Sequence, residues 1–68
     1  MGTAKIIELS GSSDKSWEQA VKNAVKSAAK SLDDMICVDV LGWTADIGDD
    51  GELTEYRANV KVVFKVHD

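Results

Sequence analysis

Residues 53–66, LTEYRANVKVVFKV, alternate in character almost without a break. Tyr56, Ala58, Val60, Val62, Phe64 and Val66 fall on one side, and Glu55, Arg57, Asn59, Lys61 and Lys65 on the other. A period of two sustained over this length is a β-strand with one apolar and one largely polar face. This strand constrains the rest of the chain. Its sheet needs cover on one face only, and the cover has to come from the same short sequence.

One segment can supply that cover. Between Asp14 and Leu32 the apolar residues Trp17, Ala20, Val21, Ala24, Val25, Ala28 and Leu32 recur at helical spacing, with Lys15, Glu18, Lys22, Lys26 and Lys30 opposite. The pattern predicts a helix over 14–32 whose alanines allow close approach to a sheet. Asp14 and Glu18 near its start and Lys30 near its end complement the helix dipole. Ahead of it, AKIIEL (residues 4–9) reads as a short strand. SGSS, with Gly11, reads as a turn ending in an N-cap at Ser12 or Ser13. A further strand is expected from Met35 to Ile47, and GDDG (48–51) is the turn into the last strand.

The order is therefore β-α-β-β in a single domain, 1–68, of the α+β class. The helix links two parallel strands, for which a right-handed crossover is expected. The last strand returns antiparallel between them, giving an antiparallel-type sheet of order 1-3-2 on one helix. In MICVDVLGW (35–43), Ile36, Val38 and Val40 then face the helix, while Cys37, Asp39, Leu41 and Trp43 share the other side. With a hairpin loop at 48–52, Asp39 faces Lys61 and Trp43 faces Arg57. Such a cross-strand ion pair contributes roughly 0.2–1 kcal/mol. Gly42 also allows a bulge that would turn Trp43 off this face.

At 68 residues the chain buries only about 60% of its unfolded surface and is marginal alone. One cysteine makes no internal disulfide, and Cys37 with His67 is too little for zinc. Self-association is the remaining route to stability. The net charge of −4, without a basic cluster, argues against nucleic acid as a partner. No run approaches the roughly 20 apolar residues of a membrane span. The start MGTAKIIELSG lacks the layout of a signal peptide, and Ile6 stands where a myristoylation motif wants Ser or Thr. A cytoplasmic protein is expected.

Several side chains admit two readings. Cys37 is a small packed hydrophobe, or a reactive thiol or soft metal ligand. Trp43 is an interface residue or a stacking platform displaced along its strand. Asp46, Asp49, Asp50, Glu52 and Glu55 offer the hard oxygens calcium takes, without the spacing of an EF-hand loop. Asp and Gly are also what a hairpin turn selects, and a solvated turn is the simpler account. Asp33 and Asp34 read as solvated or interface residues. His67, beside the C-terminus, has no catalytic partner in view. No nucleophile–base set, carboxylate pair or phosphate-binding loop is visible, so no enzyme is expected.

The segments KIIELSGSSDKSWEQAVKNAVKSA and EYRANVKVVFKV resemble the opening and the last strand of the dodecin family, and the likeness spans about residues 5–66. The resemblance implies a subunit of a hollow homododecamer that binds flavin (riboflavin, FMN or FAD) at subunit interfaces, for storage and protection. In flavin-binding members a tryptophan early in the second strand stacks on the flavin, and a glutamine early in the third bonds its polar edge. Cys37 and Arg57 stand at those positions. A thiol has no flat π-surface, and an arginine donates but cannot accept. At both positions the chain is similar to the calcium-dodecin branch, which makes calcium the alternative ligand. A shell with no dedicated ligand is the further alternative. Asp39, Lys61 and Trp43 join Cys37 and Arg57 as ligand or interface candidates, with Asp46, Asp49, Asp50 and Glu52 as weaker metal candidates.

Overall fold

The computed structural model describes residues 2–66. Its elements are β1 (Thr3–Ser13), α1 (Trp17–Ala29), β2 (Met35–Ile47) and β3 (Leu53–Val66). β3 lies between β1 and β2 and is antiparallel to both, so the sheet order is β1-β3-β2. The β-α-β-β layout and the strand order are as the alternation implies. His67 lies outside the described residues.

The first strand and the helix start differ from expectation. β1 does not stop at residue 9 but runs through SGSS, pairing with β3 as far as Ser13 opposite Tyr56. Gly11 is not a turn residue. It is buried opposite Ala58, and a Cβ there would lie 2.2 Å from the Ala20 carbonyl oxygen and 2.7 Å from the Ala24 Cβ. The glycine is needed so that the helix can rest on the strand. The N-cap is Ser16, not Ser12 or Ser13. Its backbone is extended, and its hydroxyl accepts the Gln19 amide at 3.0 Å. Ser16 and Gln19 are spaced as in a capping box, which is the local signal for this start. Ser13 is buried, and its hydroxyl accepts the Lys15 amide at 3.0 Å. The helix is also shorter than 14–32. It closes at Lys30, with the Ser31 and Leu32 amides both donating to the Ala28 carbonyl. Asp34 then turns the chain through a left-handed conformation, φ 56°, which Asp tolerates better than most residues.

The core is thin and made of small residues. Ala20, Ala24 and Ala28 of α1 meet Ala58, Val60 and Val62 of β3, flanked by Ile7, Leu9, Val21, Leu32, Met35 and Val40. Among the described residues no fully buried side chain is larger than Val60 and Val62. The helix lies mainly over β1 and β3 and barely touches β2. The subunit measures 52 × 19 × 13 Å, and the β2–β3 hairpin continues beyond the end of β1. At its tip Gly51 takes φ 85°, and the Asp50 carboxylate accepts the Glu52 amide at 3.0 Å.

Candidate functional site

Pairing and alternation set the face of the sheet away from the helix. Across β1, β3 and β2 its rows are Ile6–Val63–Cys37, Glu8–Lys61–Asp39, Ser10–Asn59–Gly42 and Ser12–Arg57–Thr44. Asp39 is opposite Lys61, as the simple register predicts. The ion pair expected between them is not formed: the Lys61 ammonium instead approaches the Glu8 carboxylate on the opposite neighbouring strand at 3.9 Å.

Trp43 is not opposite Arg57. The register shifts between Val40 and Gly42, with Leu41 as the extra residue, so Trp43 pairs with Ala58 and Thr44 with Arg57. One added residue exchanges the two faces for everything after it. Trp43 therefore turns to the helix side, the outcome that Gly42 allowed. There the Trp17 ring stands edge-on to Trp43 at 6.3 Å and to Tyr56 at 4.9 Å. The Trp17 indole N–H donates to the Thr44 carbonyl at 2.8 Å, tying the helix start to the bulged strand. Trp43 nevertheless stays 53% exposed, because the helix does not cover β2.

The same bulge carries Asp46 to the open face, diagonal to Arg57. Arg57 Nη1 and Nη2 donate to Asp46 Oδ1 and Oδ2, each at 2.7 Å, in a two-pronged pair. Glu55, opposite Asp46, comes within 3.5 Å of the same guanidinium. The Arg57 hydrogen bond, helped by its charge, holds the Asp46 carboxyl below its usual range. Arg57 is correspondingly pushed up, mainly by the same bond. A contiguous register hides this pair, and only placing the bulge at Leu41 reveals it.

Within one subunit the sites named from the sequence stay apart. Cys37 is exposed and lies opposite Val63, six residues along β3 from Arg57, a separation of roughly 20 Å. Asp46 is engaged by Arg57, and Asp50 by the turn backbone. Asp49 and Glu52 are exposed on the hairpin. Among the described residues no three His, Cys, Asp or Glu side chains gather as a metal site. Calcium takes six to eight oxygens, so a single subunit does not supply a calcium cage.

Apolar surface is left uncovered on both sides of β2. Ile36 (61% exposed), Val38, Leu41 and Trp43 lie along it, and Ile47 (72%) and Leu53 flank the hairpin turn. Between α1 and β2 runs a groove of about 290 Å³ lined by Val25, Met35, Ile36, Cys37, Val38 and Val62. Among the described residues no helix is long and apolar enough to cross a membrane.

The structure thus defines a small sheet-and-helix subunit with one face covered by the helix over β1 and β3 and the other face open. The profile of the Dodecin family matches residues 3–67, and the chain belongs to that family. It is 36% identical over 66 residues to the calcium dodecin of Mycobacterium tuberculosis, an alignment covering 97% of this chain and 92% of that protein. The crystal structure of a calcium dodecin from the same organism, described as having a novel calcium-binding site, superposes with a TM-score of 0.82. It is 34% identical, over 96% of this chain and 91% of that one. A variant of the Thermus thermophilus dodecin is more alike in shape, with a TM-score of 0.93 at 28% identity over the whole of both chains.

Proposed function

We propose that this chain is a ligand-binding and storage subunit rather than an enzyme. In this reading it assembles in the cytoplasm into a hollow homododecamer and holds a small ligand or ion where subunits meet. The observation that carries this is the open sheet face. It presents charged and thiol groups beside uncovered apolar surface, on a subunit whose own core is too thin to stand easily alone. Copies of the same surface are the natural cover, since small soluble assemblies are mostly symmetric and self-complementary.

For the ligand, calcium is favoured over flavin. By the resemblance, Cys37 and Arg57 replace the stacking tryptophan and the hydrogen-bonding glutamine of flavin-binding members. The end of Arg57 is moreover committed to Asp46. The likeness to a protein named calcium dodecin supports the same choice. The ion would sit where carboxylates of two or more subunits converge. Asp39, Asp49, Asp50 and Glu52 are the candidates, and Cys37, Trp43, Lys61 and the Asp46–Arg57 pair shape the surrounding surface.

Native mass spectrometry with added calcium, riboflavin or FMN tests this. A twelve-subunit mass that retains calcium and releases both flavins is expected. A folded monomer would sink the assembly. A dodecamer that ignores calcium and flavin alike would leave a purely structural shell.

A further inference from the structure

Arg57 is a guanidinium on the open face of the sheet, where a ligand of the assembly would lie. A free guanidinium fork is well matched to phosphate and carboxylate oxygens. Here the fork already holds a carboxylate, with both Asp46 oxygens bonded at 2.7 Å and Glu55 at 3.5 Å from Nη2. We propose that Asp46 is a specificity-determining residue. By occupying the end of Arg57 it keeps anionic ligands off this part of the open face. The inference rests on the reading that the open face is the ligand-facing surface.

Two features make the closed arrangement the resting one. Asp46 and Glu55 are cross-strand partners, and like charges directly opposite repel. The guanidinium between them offsets that repulsion, so moving Arg57 toward a ligand would leave the carboxylates facing each other. Among the described residues, no other cation is paired with Asp46. Lys61 lies four residues along β3, roughly 13 Å away, and has Glu8 beside it. An incoming anion therefore meets two carboxylates and a guanidinium whose end is filled, whereas a cation or a neutral molecule meets no such exclusion.

The test measures FMN and riboflavin binding by equilibrium dialysis, with assembly checked by native mass spectrometry. The native chain is compared with Asp46→Ala, Asp46→Asn, and Asp46→Ala combined with Arg57→Ala. Releasing a charged donor should raise FMN affinity about tenfold or more, because a charge-assisted contact is of that order. Riboflavin, which lacks the phosphate, should change by less than about twofold, and the added Arg57→Ala change should abolish the gain. Asp46→Asn keeps the side-chain size and decides the matter if Asp46→Ala does not assemble. The proposal is overturned if an assembled Asp46 variant binds FMN no better than the native chain, or if the gain survives loss of Arg57. Failure of both single variants to assemble would also overturn it, making the pair a structural strut. Failure of the functional reading itself is seen on the native chain alone, as a folded monomer or as tight flavin binding.

Discussion

The two faces of the sheet use the same three strands and are finished in opposite ways. Toward the helix, Ala20, Ala58 and Val60 have no exposed surface, and at Gly11 the helix comes too close for a Cβ. Away from it, Arg57 pairs with Asp46 and Lys61 with Glu8 at the surface, and Cys37 is exposed toward the far end of the same face. Over β1 and β3 the covered face is completed by the chain itself, while over β2 it leaves Trp43 half exposed. The open face pairs Arg57 with Asp46 and Lys61 with Glu8 but leaves its apolar neighbours bare. The contrast separates what the sequence spends on folding from what it reserves for contact with something else.

The largest effect should follow from breaking the close approach. Gly11→Val would put a side chain where even a Cβ meets the Ala20 carbonyl and Ala24. The helix would have to lift, and overpacking of this kind costs typically 1–3 kcal/mol and more against backbone. We expect the variant to be unfolded or to lose at least about 3 kcal/mol in chemical denaturation. Wild-type stability would show that the helix does not rest on β1 here. Next comes the difference between the faces themselves. Val60→Ala removes two buried methyl-sized groups under the helix and should cost about 2 kcal/mol. Val63→Ala, on the open face beside Cys37, should cost under about 1 kcal/mol in the subunit and show instead as weaker assembly. Equal costs would erase the distinction.

Much of this architecture is legible in the residues. The alternation of β3 and the alanine stripe of α1 lead to the 1-3-2 sheet with one helix, and they separate the two faces of β3. The departures have local causes. SGSS carries turn residues, yet tertiary packing keeps it in the strand because only glycine lets α1 sit on β1. Ser16 competes with Ser12 and Ser13 for the cap, and its Gln19 three residues on is the signal that distinguishes it. The site is less legible because a bulge is a one-residue event with long-range consequences. Leu41 exchanges the faces for the rest of β2, moving Trp43 to Trp17 and bringing Asp46 to Arg57. Nothing in the composition of VLGW, apart from Gly42, marks that exchange.

A smaller effect should come from the place where the helix side reaches the bulged strand. Trp17→Phe keeps a ring against Tyr56 but removes the indole N–H that donates to the Thr44 carbonyl. The loss should be about 1 kcal/mol, the usual net worth of one hydrogen bond. It should come with a change in the environment of Trp43, readable as a shift in its fluorescence. An unchanged emission spectrum would mean that the bulge holds Trp43 without help from the helix.

The smallest effect belongs to the open face and is read through pH. The Asp46 carboxyl is held below its ordinary value of 3.8, first by the Arg57 hydrogen bond, which outweighs the opposing effect of burial, and to a lesser degree by the Arg57 charge. A group with a depressed folded pKa contributes stability that is complete above its unfolded value and is lost as pH falls through the folded one. Native protein and Asp46→Asn should therefore differ in melting temperature at neutral pH. The two curves should converge on acidification below about pH 3.8, as the native carboxylate takes up its proton. Because the pair is solvent-exposed, the gap should also narrow with added salt at neutral pH. Melting curves that stay parallel through the acid range would mean that the fork between Asp46 and Arg57 orients the guanidinium without stabilising the subunit. The open face would then be organised for selectivity alone, in sharper contrast still to the face beneath the helix.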